Sequence, residues 1–384
     1  MTAVLRDRTL IGFMLAASLA STIGGLPFNA LPVMLGSLAD SFGLAPQAVG
    51  LLGSICFAGY LVGTLGAPLW MNRLDWRWLT LVSAVGTAGS FALSSVVSEL
   101  HWLYAVWVLI GFFASTMTCL GMRILADLPN KVRAFGVRQG VELAVTAAVL
   151  FALPPLVIAH WRYPGAAWTL AAVVAVLGLS AFWVPRRAWT GDLSARAVAV
   201  PTGRQAIPWP AAAALLVFFL FLVGNIGLWA FLERIGAALT IAPAEMGLVF
   251  AVLKLLGGVA AFAVAIFGDR LAGRTAHGLV LLGILAGLAL LAAAGSFLPF
   301  ALGAWIWEFA FTCGCVLQTA DIARRDPSGR AILLVPAAFA SSAMVGPALA
   351  GQIVAGGSFL PLLALALLSA LTPWLAALVR ARRA

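Results

Sequence analysis

Long uncharged apolar runs alternate with short polar clusters along this chain. Windows of about 20 apolar residues, the length that crosses a hydrocarbon core as a helix, predict twelve spans: 9–36, 46–69, 78–97, 102–125, 134–158, 165–185, 210–235, 244–267, 275–295, 298–320, 331–354 and 358–379. The least sharply bounded are 102–125 and 134–158, whose ends carry charge, and 244–267, which contains Lys254. From Ala331 to Val379 no charged residue occurs, and Gly356-Gly357-Ser358 divides that stretch into two helices. The first span holds Gly24, Gly25, Pro27, Asn29 and Pro32. Glycine and proline together predict a kink, and carbonyls freed there either face a cavity or serve packing alone. The first apolar run is too long for a cleavable signal and has no convincing cleavage site, so it is expected to stay as span 1.

Composition fixes the solvent. Hydrophobic residues make up 63% of the 384 positions and charged residues 9%, with a mean hydropathy of +1.07. A soluble core cannot use that much apolar surface, so the chain reads as a lipid-embedded, all-α polytopic protein. The net charge of +10 raises the question of nucleic acid, but the basic residues are placed otherwise. Arg6 and Arg8 precede the first span, and alternate loops carry Arg73/Arg77, Lys131/Arg133/Arg138, Arg186/Arg187/Arg196/Arg204, Arg270/Arg274 and Arg324/Arg325/Arg330. Arg380, Arg382 and Arg383 follow the last span. If the spans alternate, these share one side, and the other side has only Arg162 and Arg234. This asymmetry is the positive-inside rule; it puts both termini in the cytoplasm and accounts for the charge without nucleic acid. The excess of arginine over lysine and the abundance of alanine suggest a bacterium with a GC-rich genome, and hence its cytoplasmic membrane. Cys56, Cys119, Cys313 and Cys315 all fall within spans. Cys313 and Cys315, two apart on a helix, point to different faces and read as small apolar filler rather than a metal or disulfide pair.

Two stretches of the chain repeat each other. Leu44-Ala45-Pro46-Gln47-Ala48-Val49-Gly50-Leu51 is followed by Asn72-Arg73-Leu74-Asp75-Trp76-Arg77, and Ile241-Ala242-Pro243-Ala244-Glu245-Met246-Gly247-Leu248 by Asp269-Arg270-Leu271-Ala272-Gly273-Arg274, with no gap needed to align both pieces. A polar linker, 186–208, has six spans before it and six after. The chain therefore divides into an N-terminal six-helix bundle (1–185) and a C-terminal one (209–384), parallel repeats about an axis along the membrane normal.

Six plus six spans, a short central loop and a basic motif repeated after spans 2 and 8 resemble the major facilitator superfamily over essentially the whole chain. The resemblance implies that superfamily's fold and solute transport; it does not specify a substrate. The superfamily's loop motif is matched better in the second half, by Asp269, Arg270, Gly273 and Arg274, with one extra residue before the glycine. In the first half the acidic position is Asn72, followed by Arg73 and Arg77, with Trp76 in place of the glycine. By the resemblance, the motif's acid locks the cytoplasmic gate, which Asp269 can do and Asn72 can do only by hydrogen bonding. Otherwise both loops serve orientation alone. The Gly-Pro motif that many drug/proton antiporters carry in span 5 is missing there; Gly346-Pro347-Ala348-Leu349-Ala350-Gly351 in span 11 resembles it in the other half.

Charges within a bilayer are expensive and call for a functional reading. Lys254, one of only two lysines, lies near the centre of span 8, and Glu308 near the centre of span 10, at similar depth. Neighbouring positions in the superfamily fold make an ion pair plausible. Either Glu308 exchanges a proton while Lys254 meets an anionic group on the substrate, or the two form a permanent structural bridge. Glu142 follows Arg138 by four residues and shares its helix face, and Arg123/Asp127 repeat the spacing at the inner end of span 4. Both pairs are candidates for the cytoplasmic gate or its polar lining; a solvated helix end is the other reading of Arg123/Asp127. Trp229 and Glu233, also four apart, lie near the outer end of span 7, where Glu233 is either a second proton site or part of an interfacial anchor with Trp229 and Arg234. Trp305 and Trp307 flank Glu308 but cannot share one face. Asn29 joins the candidate pathway from the kinked first span.

Other function classes lack their residues. No His-Glu-x-x-His or Gly-x-Ser-x-Gly occurs; His101, His160 and His277 are scattered; and no Gly-x-x-x-x-Gly-Lys-Ser/Thr loop supplies an ATP motor. No cytoplasmic output domain of a sensor is seen. The expected protein is a transporter rather than an enzyme, without cofactor or metal, monomeric in the bilayer. It moves a small organic solute by alternating access, coupled to protons. Multidrug or lipophilic-compound efflux by proton antiport, or facilitated uniport, is the alternative. The lysine suits one carboxylate, as in a weakly amphipathic organic acid or an amino-acid-like molecule, and a neutral lipophilic drug is the second candidate. Import and export both stay open.

Overall fold

The computed structural model describes residues 2–71, 73–128, 131–187, 207–267, 273–326 and 330–381, and every regular element within them is helical. The helices are α1 (Thr2–Asn29), α2 (Leu31–Phe42), α3 (Pro46–Met71), α4 (Trp76–Ser94), α5 (Leu100–Ala126), α6 (Lys131–Ala152), α7 (Ala159–Gly178), α8 (Trp209–Ala238), α9 (Pro243–Phe267), α10 (Gly273–Ala292), α11 (Phe297–Arg325), the single turn α12 (Arg330–Leu333), α13 (Val335–Val354) and α14 (Leu360–Ala381). A π-helical turn, Leu153–Ile158, joins α6 to α7. Of the linker 186–208, residues 188–206 lie outside the described residues.

Among the described residues ten helices are long and apolar enough to cross a membrane, which makes this an all-α polytopic membrane fold. Two physical differences separate these ten from the twelve expected spans. The helix at span 3, α4, alternates its apolar residues with Thr80, Ser83, Thr87, Ser90 and Ser94, all of them buried, and this dilutes its hydropathy. Spans 5 and 6 run together as one apolar stretch of 50 residues, Arg133–Phe182. At 1.5 Å per residue that stretch is about 75 Å of helix, well over twice a hydrocarbon core. Its continuity is broken at Arg162, whose φ of 51° and ψ of −148° are non-helical, just before Tyr163-Pro164. The kink expected in span 1 falls at Ala30: α1 ends at Asn29 and α2 begins at Leu31, with Ala30 N still bonded to the Leu26 carbonyl at 2.8 Å. Pro27 and Pro32 flank the kink, each lacking the N–H that would donate to the helical ladder.

The chain forms two compact units. The first comprises Met1–Ala30, Ile55–Thr146 and Tyr163–Thr202. In it α5 packs along both α1 and α4. Among its buried polar groups, the Tyr163 hydroxyl donates to Ser94 Oγ at 2.8 Å and accepts from Trp107 Nε1 at 3.2 Å. The second unit comprises Leu31–Ser54, Ala147–Arg162 and Gly203–Ala384. At its centre is α8, apolar on every face and buried on every face from Phe221 to Leu232, with α2, α11, α13 and α14 packed around it. Segments from the first half of the chain are therefore part of this unit. Helix α2 lies along α8, the π-helical turn packs on α9, and Ser54 Oγ accepts from Ala348 N at 2.8 Å.

Candidate functional site

Three clusters of charge among the described residues gather most of the residues expected in the pathway. In the second unit, Lys254 on α9 and Glu308 on α11 come together as the spans suggest, with Nζ 3.7 Å from Oε1 and side chains 6% and 9% exposed. That separation is an ion pair longer than a hydrogen bond. Lys254 Nζ also stands 3.8 Å from the centroid of the Trp229 ring on α8, a cation–π contact that holds the ammonium from its second side. Glu308 is seated beside Gly257, one turn along α9 from Lys254, where an added Cβ would stand 3.1 Å from Oε1. The surrounding wall is aromatic. Trp307 is fully buried, donates from Nε1 to Asn225 Oδ1 at 2.9 Å and stacks on Phe311, which stacks in turn on Phe221. Trp305 leaves on another face and donates to the Val249 carbonyl at 3.0 Å. The arrangement puts one positive and one negative group, both buried, in a contact longer than a hydrogen bond. Trp229 belongs to this cluster, one turn away from Glu233, the residue that sequence spacing links it to.

Glu233 belongs to a second cluster of the same unit. Arg234 donates to both oxygens of Glu233, from Nε to Oε2 at 2.7 Å and from NH2 to Oε1 at 3.1 Å, and its guanidinium also forks onto Asp40 at the end of α2, with NH1 to Oδ1 at 2.6 Å and NH2 to Oδ2 at 2.8 Å. Such a planar fork on a carboxylate is specific in direction as well as charge. Asp40 is 65% exposed and Arg234 19%, so the pair lies at the edge of the unit. Beside it is a cavity of about 250 Å³ bordered by Ser37, Asp40, Pro154 and Glu233.

The first unit holds the third cluster. Arg138 NH2 donates to Glu142 Oε2 at 2.6 Å, Arg138 Nε to Ser21 Oγ at 2.7 Å, and Asn29 Nδ2 to Glu142 Oε1 at 3.3 Å. The kinked end of α1 thus meets the carboxylate of α6 and joins two residues of the expected pathway, Asn29 and Glu142. Gly25 makes the approach possible, because a Cβ there would overlap the Glu142 carboxylate.

The remaining expected residues fall at the ends of helices. Arg123 NH1 donates to Asp127 Oδ1 at 3.0 Å, the arginine exposed and the aspartate half-buried. Asn72, Asp269 and Arg270 of the gate motif lie outside the described residues. Arg73 is exposed, and Arg274 is exposed in the first turn of α10. Arg77 Nε is committed to the Val184 carbonyl at 2.8 Å, while Asp75 caps α4 by accepting from Arg77 N at 2.8 Å. Sequence reasoning missed Asp40, Asn225 and the pair His277–Asp321, in which buried Nε2 lies 3.1 Å from Oδ2 and Arg324 holds the other oxygen at 2.5 Å. Among the described residues no group of three or more His, Cys, Asp or Glu side chains is placed to hold a metal.

Comparison with known proteins agrees with this architecture. No curated protein matches the chain. The structure resembles that of the nucleoside transporter NupG with a TM-score of 0.73 at 12% identity, over 97% of this chain and 98% of that one. It also resembles an inward-open conformation of the xylose transporter XylE from E. coli (0.72, 14%, 95% of each chain) and a D-xylose-proton symporter (0.71, 14%, 96% of each chain). At such identities the likeness is one of fold. The sequence model of the Major Facilitator Superfamily matches residues 13–320, more than half of the chain, and the protein is a member of that superfamily.

Proposed function

We propose that this protein is a secondary active transporter that moves a small organic solute across a bacterial cytoplasmic membrane by alternating access, coupled to protons. The observation that carries the reading is the Lys254–Glu308 pair, buried among aromatic side chains at 3.7 Å. A charge pair confined to an apolar interior is a liability in a protein whose only task is to fold. Here its loose geometry suits exchange. When Glu308 takes a proton, its hold on Lys254 lapses and the ammonium becomes available to an anionic group of the solute. When the solute leaves, Lys254 attracts the carboxylate again and the proton is released. An organic acid or amino-acid-like solute fits one such cation; export of lipophilic compounds by proton antiport, or uniport, is the alternative. Support comes from the family and from the transporters of like fold, one of which is a D-xylose-proton symporter.

The same reading takes the chain as twelve membrane helices in two six-helix bundles, 1–185 and 209–384, joined by the 186–208 linker, monomeric, with both termini cytoplasmic. The 50-residue run Arg133–Phe182 then makes two crossings around Arg162, and α4 makes one as a polar-lined helix. In that orientation Asp40, Glu233 and Arg234 lie at the outer surface. We take the packing of α2 on α8 and the Asp40–Arg234 fork as support for a closed outer gate.

The test is a flux assay in proteoliposomes with a pH dye inside, challenged with pooled organic acids, amino acids and lipophilic drugs. Solute-triggered proton movement is the expected result, and its sign separates symport from antiport. Solute that crosses with no proton movement would refute the coupling and leave a uniporter or another ion.

A further inference from the structure

Helices α9 and α10 both pack against α11 and leave a cleft between themselves. The cleft has a volume of about 600 Å³, and α11 forms its floor. Leu256 and Phe267 mark its two ends on α9, Leu279 lies on its α10 wall, and Trp305 and Cys313 project from the floor. Every lining residue is apolar or a cysteine. Along α11 the cleft extends from Leu302 to Leu317, which at the helical rise is about 22 Å, against about 15 Å for half of a hydrocarbon core. Water finds no hydrogen-bond partner in such a space, and an empty cleft forfeits dispersion contacts along its whole wall. All three helices are membrane-length, so the medium that reaches the cleft is hydrocarbon chains.

One end of the cleft is charged. Arg274, two residues before the lining residue Ala276, is exposed and has no carboxylate partner among the described residues. It sits in the first turn of α10, at the mouth of the cleft. We infer that this cleft is a binding site for one anionic phospholipid, with an extended acyl chain lying on α11 and the headgroup phosphate at Arg274. The inner-leaflet source rests on the orientation proposed above, whereas the chain in the cleft does not. Because α11 also carries Glu308, one residue before the lining residue Phe309, the bound chain touches the helix that bears the proposed coupling carboxylate.

The experiment is native mass spectrometry of the detergent-purified protein with added phosphatidylglycerol or phosphatidylethanolamine. Wild type is expected to retain one phosphatidylglycerol in preference to phosphatidylethanolamine. The filled variant Ala263→Phe/Cys313→Phe is expected to lose it, and Arg274→Gln to keep a lipid but lose the preference. Equal retention by the filled variant would overturn the site. So would a dimer abolished by filling, which would give the cleft to a second copy, or displacement of the lipid by a lipophilic solute at transport concentrations. Should the filled variant fail to fold, wild type is photolabelled with phosphatidylglycerol carrying a diazirine on its acyl chain. Adducts concentrated in 302–317 support the inference, and adducts spread evenly over the other lipid-facing helices contradict it. Solute flux in lipid of each headgroup, measured alongside, separates failure of this site from failure of the transport reading, since transport without retained lipid leaves the latter intact.

Discussion

Glu142 in the first unit and Glu308 in the second are both carboxylates on membrane helices, both paired with a base and both seated against a glycine, yet their bonding differs. Glu142 accepts two hydrogen bonds, from Arg138 at 2.6 Å and Asn29 at 3.3 Å, and Arg138 is itself anchored on Ser21. Glu308 faces Lys254 at 3.7 Å, with the lysine shared by the Trp229 ring. Arginine stays charged at any accessible pH and binds in a fixed fork, whereas a lysine ammonium is a point charge on a flexible stem. The first arrangement ties α6 to α1; the second can change partners at small geometric cost. A buried acid is therefore not by itself a sign of coupling; how tightly its base is held is the more telling feature.

The comparison breaks most visibly in flux. Glu308→Gln is expected to lower proton-driven transport by about a hundredfold or more, equal to about 2.7 kcal/mol or more of barrier, at unchanged expression. Glu142→Gln is expected to keep the ratio of protons to solute while losing thermal stability. Next comes Lys254→Met, which leaves Glu308 buried beside no base and is expected to destabilise by about 3–5 kcal/mol; a melting curve in detergent reads the loss. Adding Glu308→Gln should restore folding without restoring coupled transport, and a double variant as unstable as the single would contradict an exchangeable pair. Gly25→Ala drives a methyl into the Glu142 carboxylate and is expected to cost about 1–3 kcal/mol, as overpacking does, again without altering coupling. The smallest effect belongs to Asp40→Asn, which loosens a fork at an exposed carboxylate worth about 1 kcal/mol. Labelling of a cysteine introduced at Ser37 by a membrane-impermeant maleimide should rise about fivefold, the ratio that such an energy sets; unchanged labelling would remove Asp40 from the outer gate.

The Lys254–Glu308 pair was legible because charge is so rare in these spans that two such residues at equal depth have few other partners to find. The Arg138–Glu142 bond was legible for a different reason, since a spacing of four on one helix defines the contact locally. The Asp40–Arg234 fork joins residues 194 apart, and neither stands out, because a charge at a helix end needs no partner. Helical spacing links Trp229 to Glu233, but its ring faces across to α9, and side-chain direction across helices is not written in one helix's period. His277 reads as one of three scattered histidines until the end of α11 brings Asp321 to it. The membrane helices themselves followed from hydropathy, including two where polarity and length work against the signal. Even there the expected spans hold: α4 overlaps 78–97 although buried hydroxyls dilute its hydropathy, and the break at Arg162 falls between the expected spans 134–158 and 165–185.

The central claim is that Glu308, and not Glu142, links solute to protons. The most direct test measures two activities of the same proteoliposomes, solute counterflow at equal pH and solute accumulation driven by a pH gradient, for wild type, Glu308→Gln and Glu142→Gln. The account predicts that Glu308→Gln keeps counterflow and loses gradient-driven accumulation, while Glu142→Gln keeps both in whatever fraction folds. Accumulation that survives Glu308→Gln and disappears in Glu142→Gln would contradict it and transfer the coupling to the tightly bonded carboxylate of the first unit.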